Sequence, residues 1–111
     1  MKNWIKQGDA YDLEIDLTLE GAPVTDSNLS LIQTAEFCLG DLRQEYKSDG
    51  TGTVTFSGGK FRFPLSQSQT FALREGPVML DIRVKDVSGA VHGLEDMIQV
   101  TIKDAISRRE L

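Results

Sequence analysis

Two residues in this sequence, His92 and Cys38, have side chains that enzymes commonly use as base and nucleophile, and the chain contains one of each type. A hydrolase needs both groups within hydrogen-bond distance, so a site would have to be assembled in space from His92 with Cys38 or Asp96. No nucleophile motif such as G-x-S-x-G accompanies them. We interpret His92 as a structural residue beside a turn. Cys38 lies in an apolar run, which predicts a buried structural thiol.

A second group with potential chemistry is a stripe of carboxylates, Asp12, Glu14 and Asp16. Hard cations such as calcium bind several carboxylate oxygens that converge on one point. Side chains two residues apart on a strand lie about 7 Å apart and point the same way, so this stripe lines a ridge and does not surround an ion. We favour a solvated face that lies opposite Arg83 and Lys85 if their strands are neighbours. A metal or cationic ligand is the alternative.

Glycoside hydrolysis needs two facing carboxylates, and any acidic chain offers such pairs by composition alone. The candidates are Glu14, Asp16, Asp81 and Glu95. Their spacing carries no specific signal. The sequence therefore predicts that the protein is not an enzyme and has no catalytic residue, cofactor or metal site.

The overall charge limits the kinds of partner. With a net charge of −5 and a pI near 4.7, the chain lacks the Lys and Arg clusters that nonspecific binding to nucleic acid or anionic membranes needs. No apolar stretch approaches about 18 residues and the N-terminus has no apolar core, so neither a transmembrane helix nor a signal peptide is predicted. The 111 residues fit one domain.

The chain is organised around a predicted central strand over residues 77–85, where Val78, Leu80, Ile82 and Val84 alternate with polar side chains. This period of two is typical of a strand with one buried and one wet face. Similar patterns predict the other strands, at residues 2–6 (an edge), 11–19, 29–39, 44–47 and 98–103.

Two hairpins can be placed by their turns. Gly58 and Gly59 form a two-residue turn that pairs Phe56 with Phe61 and Val54 with Phe63, which puts all four on one face.

A three-residue turn ending at Gly89 pairs Val84 with His92 and Ile82 with Leu94. That register would place Asp96 on the apolar face, so we expect a bulge or strand break within residues 93–96.

These elements predict an all-β fold, an immunoglobulin-like antiparallel β-sandwich of about seven strands with one short helix near residues 66–73. A capping box of Ser66 and Gln69 opens that helix. The single cysteine excludes the disulfide of antibody domains. Residues 1–104 are predicted to form the sandwich domain and residues 105–111 a short C-terminal tail.

Three segments together give the chain a family resemblance: residues 8–24, residues 63–73 and residues 76–89. In these strands and turns it resembles small immunoglobulin-like proteins of bacteriophage and prophage tails, notably the N-terminal domain of baseplate upper proteins. The resemblance departs at the C-terminus, where helical and receptor-binding-protein anchoring regions follow this domain in baseplate upper proteins and a short tail is expected here. The resemblance implies a non-enzymatic virion component, made in the bacterial cytoplasm, that assembles with other tail or baseplate proteins and as a homo-oligomer with copies of itself.

The expected contact residues are Trp4 on the N-terminal edge, Tyr46, the loop over residues 48–52, and Arg108 and Arg109 in the tail. The alternative function is a stand-alone binding module for a carbohydrate or surface ligand, which requires exposed aromatic side chains on one flat face. Trp4 and Tyr46 are the candidates for such a platform.

Overall fold

The computed structural model describes residues 4–19, 21–93 and 98–105, and these form an all-β, sandwich-like fold with one short helix. The strands are β1 (Trp4–Lys6), β2 (Tyr11–Ile15), β3 (Thr18–Leu19), β4 (Ala22–Pro23), β5 (Ile32–Leu39), β6 (Leu42–Lys47), β7 (Thr55–Ser57), β8 (Lys60–Leu65), β9 (Gly76–Asp86), β10 (Val91–Gly93) and β11 (Ile98–Lys103). The helix α1 spans Gln67–Ala72, and a 3₁₀ turn covers Leu29–Leu31. The described strands outnumber the predicted seven, and they include three of only two or three residues that the sequence did not predict as separate strands, β3, β4 and β10.

The predicted central strand is confirmed. β9 is the longest strand and lies in the middle of the larger sheet, here called sheet A, whose order is β1-β11-β9-β5-β6. β10 continues along the edge of β9 that β11 occupies. The strand pairs are antiparallel as predicted except at one edge of sheet A, where β1 runs parallel to β11.

The hairpin at Gly89 has the predicted register, with His92 opposite Val84. The flanking pairs show the expected irregularity after this hairpin. Gly93 lies opposite Arg83 and Ile98 opposite Leu80, so the chain advances five residues from Gly93 to Ile98 while β9 advances three, from Arg83 to Leu80. Leu94, Glu95 and Asp96 themselves lie outside the described residues.

The smaller sheet, sheet B, has the order β2-β8-β7. Its β7–β8 hairpin turns at Gly58 and Gly59, whose φ angles of 61° and 78° fit a two-residue hairpin turn. Phe56 pairs with Phe61 as predicted. Val54 is buried on the same side but falls before β7, because its N–H donates to the Glu45 carbonyl, 3.0 Å away.

The predicted long strand over residues 11–19 is broken. Leu13, Ile15 and Leu17 are all buried, so its apolar face is correct. After Ile15 the chain leaves sheet B, and the Leu17 carbonyl accepts a hydrogen bond from the Val24 N–H at 2.8 Å, which starts the small β3–β4 hairpin.

The core lies between the two sheets. Three fully buried phenylalanines, Phe37, Phe61 and Phe63, pack with ring centroids 5.5 Å and 6.4 Å apart. Tyr46 closes the cluster edge-on, 5.3 Å from Phe61. Cores of this density lose stability when even one ring is removed.

A buried polar network ties the N-terminal segment to α1. The Thr70 hydroxyl, which is fully buried, accepts from the Gly8 N–H at 3.0 Å and lies 2.8 Å from the Asp9 carbonyl. The Gln7 side-chain amide donates to the Leu73 carbonyl at 2.8 Å. These bonds fix the turn between β1 and β2, and thereby hold β1 at the edge of sheet A.

The capping box of α1 is confirmed: the Gln69 N–H donates to the Ser66 hydroxyl at 3.2 Å, and the Ser66 N–H donates to the Gln69 side chain at 2.8 Å. The helix ends at Ala72, one residue before the predicted Leu73. The Leu73 N–H then bonds to the Thr70 carbonyl at 3.3 Å.

Candidate protein-interaction surface

The most extensive candidate site is the outer face of sheet A, the face turned away from the core. Because side chains alternate along a strand, the buried residues of β9 fix which of its neighbours point outward. The outward residues of sheet A, taken over β1, β11, β9, β5, β6 and β10, are Trp4, Lys6, Thr34, Glu36, Cys38, Arg43, Glu45, Lys47, Pro77, Met79, Asp81, Arg83, Lys85, Val91, Gly93, Gln99, Thr101 and Lys103. We call this set the outer face.

An apolar strip crosses one end of the outer face. Trp4 and Pro77 both lie opposite Thr101, and Met79 is the next outward residue after Pro77 on β9. Trp4 is 38% exposed and Met79 41% exposed. Val91, at 62%, is a further exposed apolar side chain, at the opposite end of the face. Large apolar side chains grouped on a solvent-facing sheet are typical of a contact surface.

The charges of the outer face differ in sign from those of the whole chain. The outer face contains six of the 12 Lys and Arg residues and three of the 17 Asp and Glu residues, a net charge of +3 in a chain of −5. Its three carboxylates are Glu36, Glu45 and Asp81. Within the described part of the chain, carboxylates form ion pairs with Arg43, Lys47 and Arg83 on this face, and with none of Lys6, Lys85 or Lys103.

Glu36 organises the paired charges. It lies opposite Arg83 in the β5–β9 ladder, with their side chains 2.8 Å apart, and its other oxygen lies 3.6 Å from Arg43. The hydrogen bond from Arg83 lowers the pKa of the Glu36 carboxyl below its ordinary value. The Cys38 thiol, 3.7 Å from Glu36, belongs to the same group.

The unpaired charges lie near the apolar strip and at the far end of β9. Lys6 and Lys103 are directly opposite each other across β1 and β11, and the Lys103 ammonium sits 4.1 Å from the centre of the Trp4 ring. Such a cation–π contact orders the indole ring on the surface. Lys85 borders a shallow depression of about 450 Å³ beside Thr34 and Lys47.

Of the predicted contact residues, Trp4 lies on the outer face and Tyr46 does not. Tyr46 is in β6 and points inward, where its ring packs on Phe61 and burial raises the pKa of its hydroxyl. The sequence could not show that Tyr46 points inward, because a single Tyr in a short polar strand does not indicate which face of the strand it occupies. Arg108 and Arg109 lie outside the described residues.

The predicted contact loop over residues 48–52 is a tightly bonded turn. The Asp49 carboxylate accepts from both the N–H and the hydroxyl of Thr51. A side chain at Gly52 would meet the Glu45 carbonyl oxygen at 2.2 Å, so the loop packs directly against β6 and requires glycine there.

The residues with potential chemistry are placed apart from one another. His92 Nε2 lies 3.0 Å from an Asp86 carboxylate oxygen, and the other oxygen of Asp86 accepts from Ser88 and Ala90 across the Gly89 turn. The hydrogen bonds from Ser88 and His92 hold the pKa of Asp86 well below its usual range. The imidazole therefore closes a turn, as the sequence indicated.

The prediction of a buried Cys38 was wrong, and the condition attached to the carboxylate stripe, that its strand neighbours the central strand, is not met. Cys38 is half-buried on the outer face, because the register of β5 turns Ala35, Phe37 and Leu39 inward in its place. The carboxylate stripe of β2 does not face Arg83 and Lys85.

β2 pairs with β8, so Glu14 meets Arg62 at 2.6 Å and Asp16 meets Lys60 at 3.2 Å. These pairs account for the alternating acidic pattern without a ligand. In the described residues, no group of three His, Cys, Asp or Glu side chains is arranged to hold a metal, and no helix is long and apolar enough to cross a membrane.

A smaller groove of about 440 Å³ lies where the end of α1 meets the β5–β6 turn, beside Leu73, Arg74 and Val78. Most of its lining residues are apolar or glycine, and Asp41 and Arg74 are the charged ones. No catalytic pair is present among its lining residues.

Comparisons with models of protein families, with characterised proteins and with solved structures found no significant match.

Proposed function

We propose that this protein is a non-enzymatic structural component of a bacteriophage or prophage tail or baseplate, with an immunoglobulin-like sandwich that acts through protein–protein assembly. The virion location rests on the sequence resemblance. The assembly role rests on one structural observation: a broad, solvent-facing sheet that combines Trp4, Pro77 and Met79 with a cluster of cations.

The composition of the outer face supports a protein partner. Protein interfaces are enriched in aromatic residues, Met and Arg, whereas small-molecule sites are concave and enclose their ligand. Trp4, Met79, Arg43 and Arg83 are all of the favoured types. The depression beside Thr34 is shallow, which suits a side chain from a partner better than an enclosed ligand.

The size of the outer face also fits this role. Five strands abreast at about 4.8 Å, and the eleven residues of β9 at about 3.3 Å each, give a face of roughly 24 by 36 Å at its longest. Each partner in a standard stable interface buries about 800 Å², so this face is large enough to form most of one.

The alternative of a carbohydrate-binding module is weakened by the position of Tyr46. A sugar platform needs aromatic rings side by side on one exposed face. Trp4 is the one aromatic side chain that the described residues present on the outer face, and the partly buried Tyr46 packs inward against Phe61.

Quantitative mass spectrometry of phage particles, purified after induction of the source bacterium, tests the proposed function. We expect this chain at a fixed ratio to the other tail proteins, and that ratio should survive repeated density-gradient purification. An abundant cytoplasmic protein from the same lysate is the control for carry-over. Particles that contain the other tail proteins but lack this chain would overturn the proposal.

A further inference from the structure

The charges of the outer face are unevenly distributed along its strands. Residues paired across the sheet lie side by side, so the outward ones form rows. The row at one end contains Lys47 and Lys85 on either side of Thr34, and the row at the other end contains Lys6 opposite Lys103. These four lysines carry +4, and the two arginines and three carboxylates between them carry −1, which together give the +3 of the face. The positive charge therefore lies at the two ends.

The region between the two ends carries both signs of charge. The three carboxylates Glu36, Glu45 and Asp81 lie there, and so does the apolar strip. A nucleic acid or an anionic membrane presents an unbroken array of phosphates, which these carboxylates repel. A protein surface can place carboxylates against the lysines, and cations or apolar side chains against the region between them. The pattern therefore favours a protein over a phosphate polymer.

We propose that the partner of the outer face is an acidic protein surface, which places carboxylates against Lys6 and Lys85 at the two ends and an apolar side chain against the apolar strip. The inference rests on the proposed assembly role and specifies the chemistry of the partner. Complementary charge of this kind selects a partner and fixes its orientation on the face.

The Lys85 end combines an unpaired cation with a depression that admits a side chain. In the described residues no carboxylate forms an ion pair with Lys85, whereas Lys47 has Glu45 at 3.6 Å. The short Thr34 side chain lies between the two lysines and borders the depression of about 450 Å³. Glu36 also borders it, but an arginine lies 2.8 Å from that carboxylate. A carboxylate that enters the depression therefore meets Lys85 as the cation without a partner.

The Lys6 end combines an unpaired cation with exposed apolar surface. The Lys103 ammonium lies 4.1 Å from the centre of the Trp4 ring, so this lysine is used to hold the indole in place. Lys6 is exposed, and no carboxylate in the described part of the chain forms an ion pair with it. An acidic side chain next to an apolar one on the partner meets Lys6 and Trp4 together.

The test is an amide NMR titration of the isotope-labelled full chain with a random copolymer of glutamate and phenylalanine, at neutral pH and about 0.15 M salt. We expect saturable shifts that map to the outer face. Emission of Trp4, the single tryptophan, should move to shorter wavelength in parallel. A copolymer of lysine and phenylalanine is the control for apolar adhesion, and it should leave the amides of the outer face unshifted.

Charge-reversal variants locate the contact. Lys6→Glu and Lys85→Glu are each expected to weaken binding of the acidic copolymer at least about fivefold, because each replaces an attraction with a repulsion. The matched control carries Thr55→Asp and Ser57→Asp, which changes net charge equally at exposed positions of β7 in sheet B. Its affinity should change less than about twofold, since charges more than about 8 Å from the contact are screened at this salt. Circular dichroism confirms that every variant is folded.

A single-stranded DNA oligonucleotide and vesicles containing phosphatidylserine test the other anionic classes. The inference is overturned if either binds the outer face as tightly as the acidic copolymer, if the copolymer produces no saturable shifts on this face, or if both lysine variants bind it as the unmodified chain does. A chain that is stoichiometric in phage particles but fails to bind the copolymer would remove this inference and leave the proposed function intact. Binding by a chain absent from particles would do the reverse.

Discussion

Replacing Thr70 with Val tests whether the buried network between α1 and the N-terminal segment holds β1 in place. Valine has nearly the shape of threonine, so the change removes the hydroxyl and leaves the packing. The Gly8 N–H, 3.0 Å from that hydroxyl, loses its acceptor, and the Asp9 carbonyl at 2.8 Å loses a donor.

Leaving a buried polar group unpaired costs about 1–3 kcal/mol. The Gly8 and Asp9 bonds are only partly buried, so we place the loss of unfolding free energy at about 1–2 kcal/mol. For a domain of this size that corresponds to a drop in Tm of roughly 4–10 °C.

The assay is urea unfolding followed by circular dichroism, with an unchanged m-value as evidence that the same surface unfolds. The control is Thr55→Val on the exposed side of β7, which should change the unfolding free energy by less than about 0.5 kcal/mol. If Thr70→Val were as mild as the control, the network would not be what fixes the N-terminal segment.

Further predictions concern the turns and the core. Gly8→Ala and Gly21→Ala each place a side chain at a positive φ, 87° and 81°, but only at Gly8 would the new Cβ meet a neighbour, the Phe71 ring at 2.7 Å. Thermal unfolding should therefore show a larger drop in Tm for Gly8→Ala than for Gly21→Ala, and equal drops would contradict this packing. Phe61→Ala should cost about 3–5 kcal/mol in urea unfolding because Phe61 contacts the rings of Phe37, Tyr46 and Phe56, and a cost below about 1 kcal/mol would refute this core. The lowered pKa of Asp86 means that its stabilisation is fully present above about pH 4, the ordinary pKa of Asp, and declines as the pH falls from there through the lowered pKa of the folded state. The protection of the Ala90 amide, which is its exchange rate relative to the intrinsic rate at the same pH, should therefore fall in acid in the unmodified chain and stay constant in Asp86→Asn, and the same pH dependence in both would contradict this.

The elements that could be predicted from the sequence are those in which a turn and an apolar pattern specify the same register. At Gly58 and Gly59 the turn fixes which residues face each other, and Phe56 and Phe61 agree with it. The capping box of Ser66 and Gln69 similarly marks its own helix start. Both are local, because each signal lies within a few residues of the feature.

The pairing between distant strands could not be predicted in this way. The apolar face of residues 11–17 was evident, but the alternation gives no information on the neighbouring strand. Arg83 could therefore be offered only as a conditional neighbour of β2, whose partner in the structure is β8. The break after Ile15 is made by a tertiary hydrogen bond from Val24 to Leu17, which has no signature in the strand itself.

The candidate surface was found only in part for the same reason. Trp4 was identified as an exposed edge residue, whereas Met79 and Pro77 read as ordinary members of a polar face. Their significance appears once β11 places Thr101 between Pro77 and Trp4, and joins three segments into one strip. The excess of positive charge on this face likewise depends on which strands are adjacent.

The central claim, that the outer face is the surface through which this protein is assembled, is tested most directly by competition for incorporation into phage particles. The unmodified chain and a Met79→Asp variant are produced together in the induced source bacterium, and their ratio in purified particles is compared with their ratio in the lysate. The control is Val87→Asp, which introduces the same charge at an exposed apolar residue in the turn after β9, at the opposite end of that strand from Pro77 and Met79. We predict that Met79→Asp is depleted at least tenfold while Val87→Asp is incorporated in proportion to its supply. Equal incorporation of Met79→Asp and the unmodified chain, or the absence of both from particles, would contradict the account.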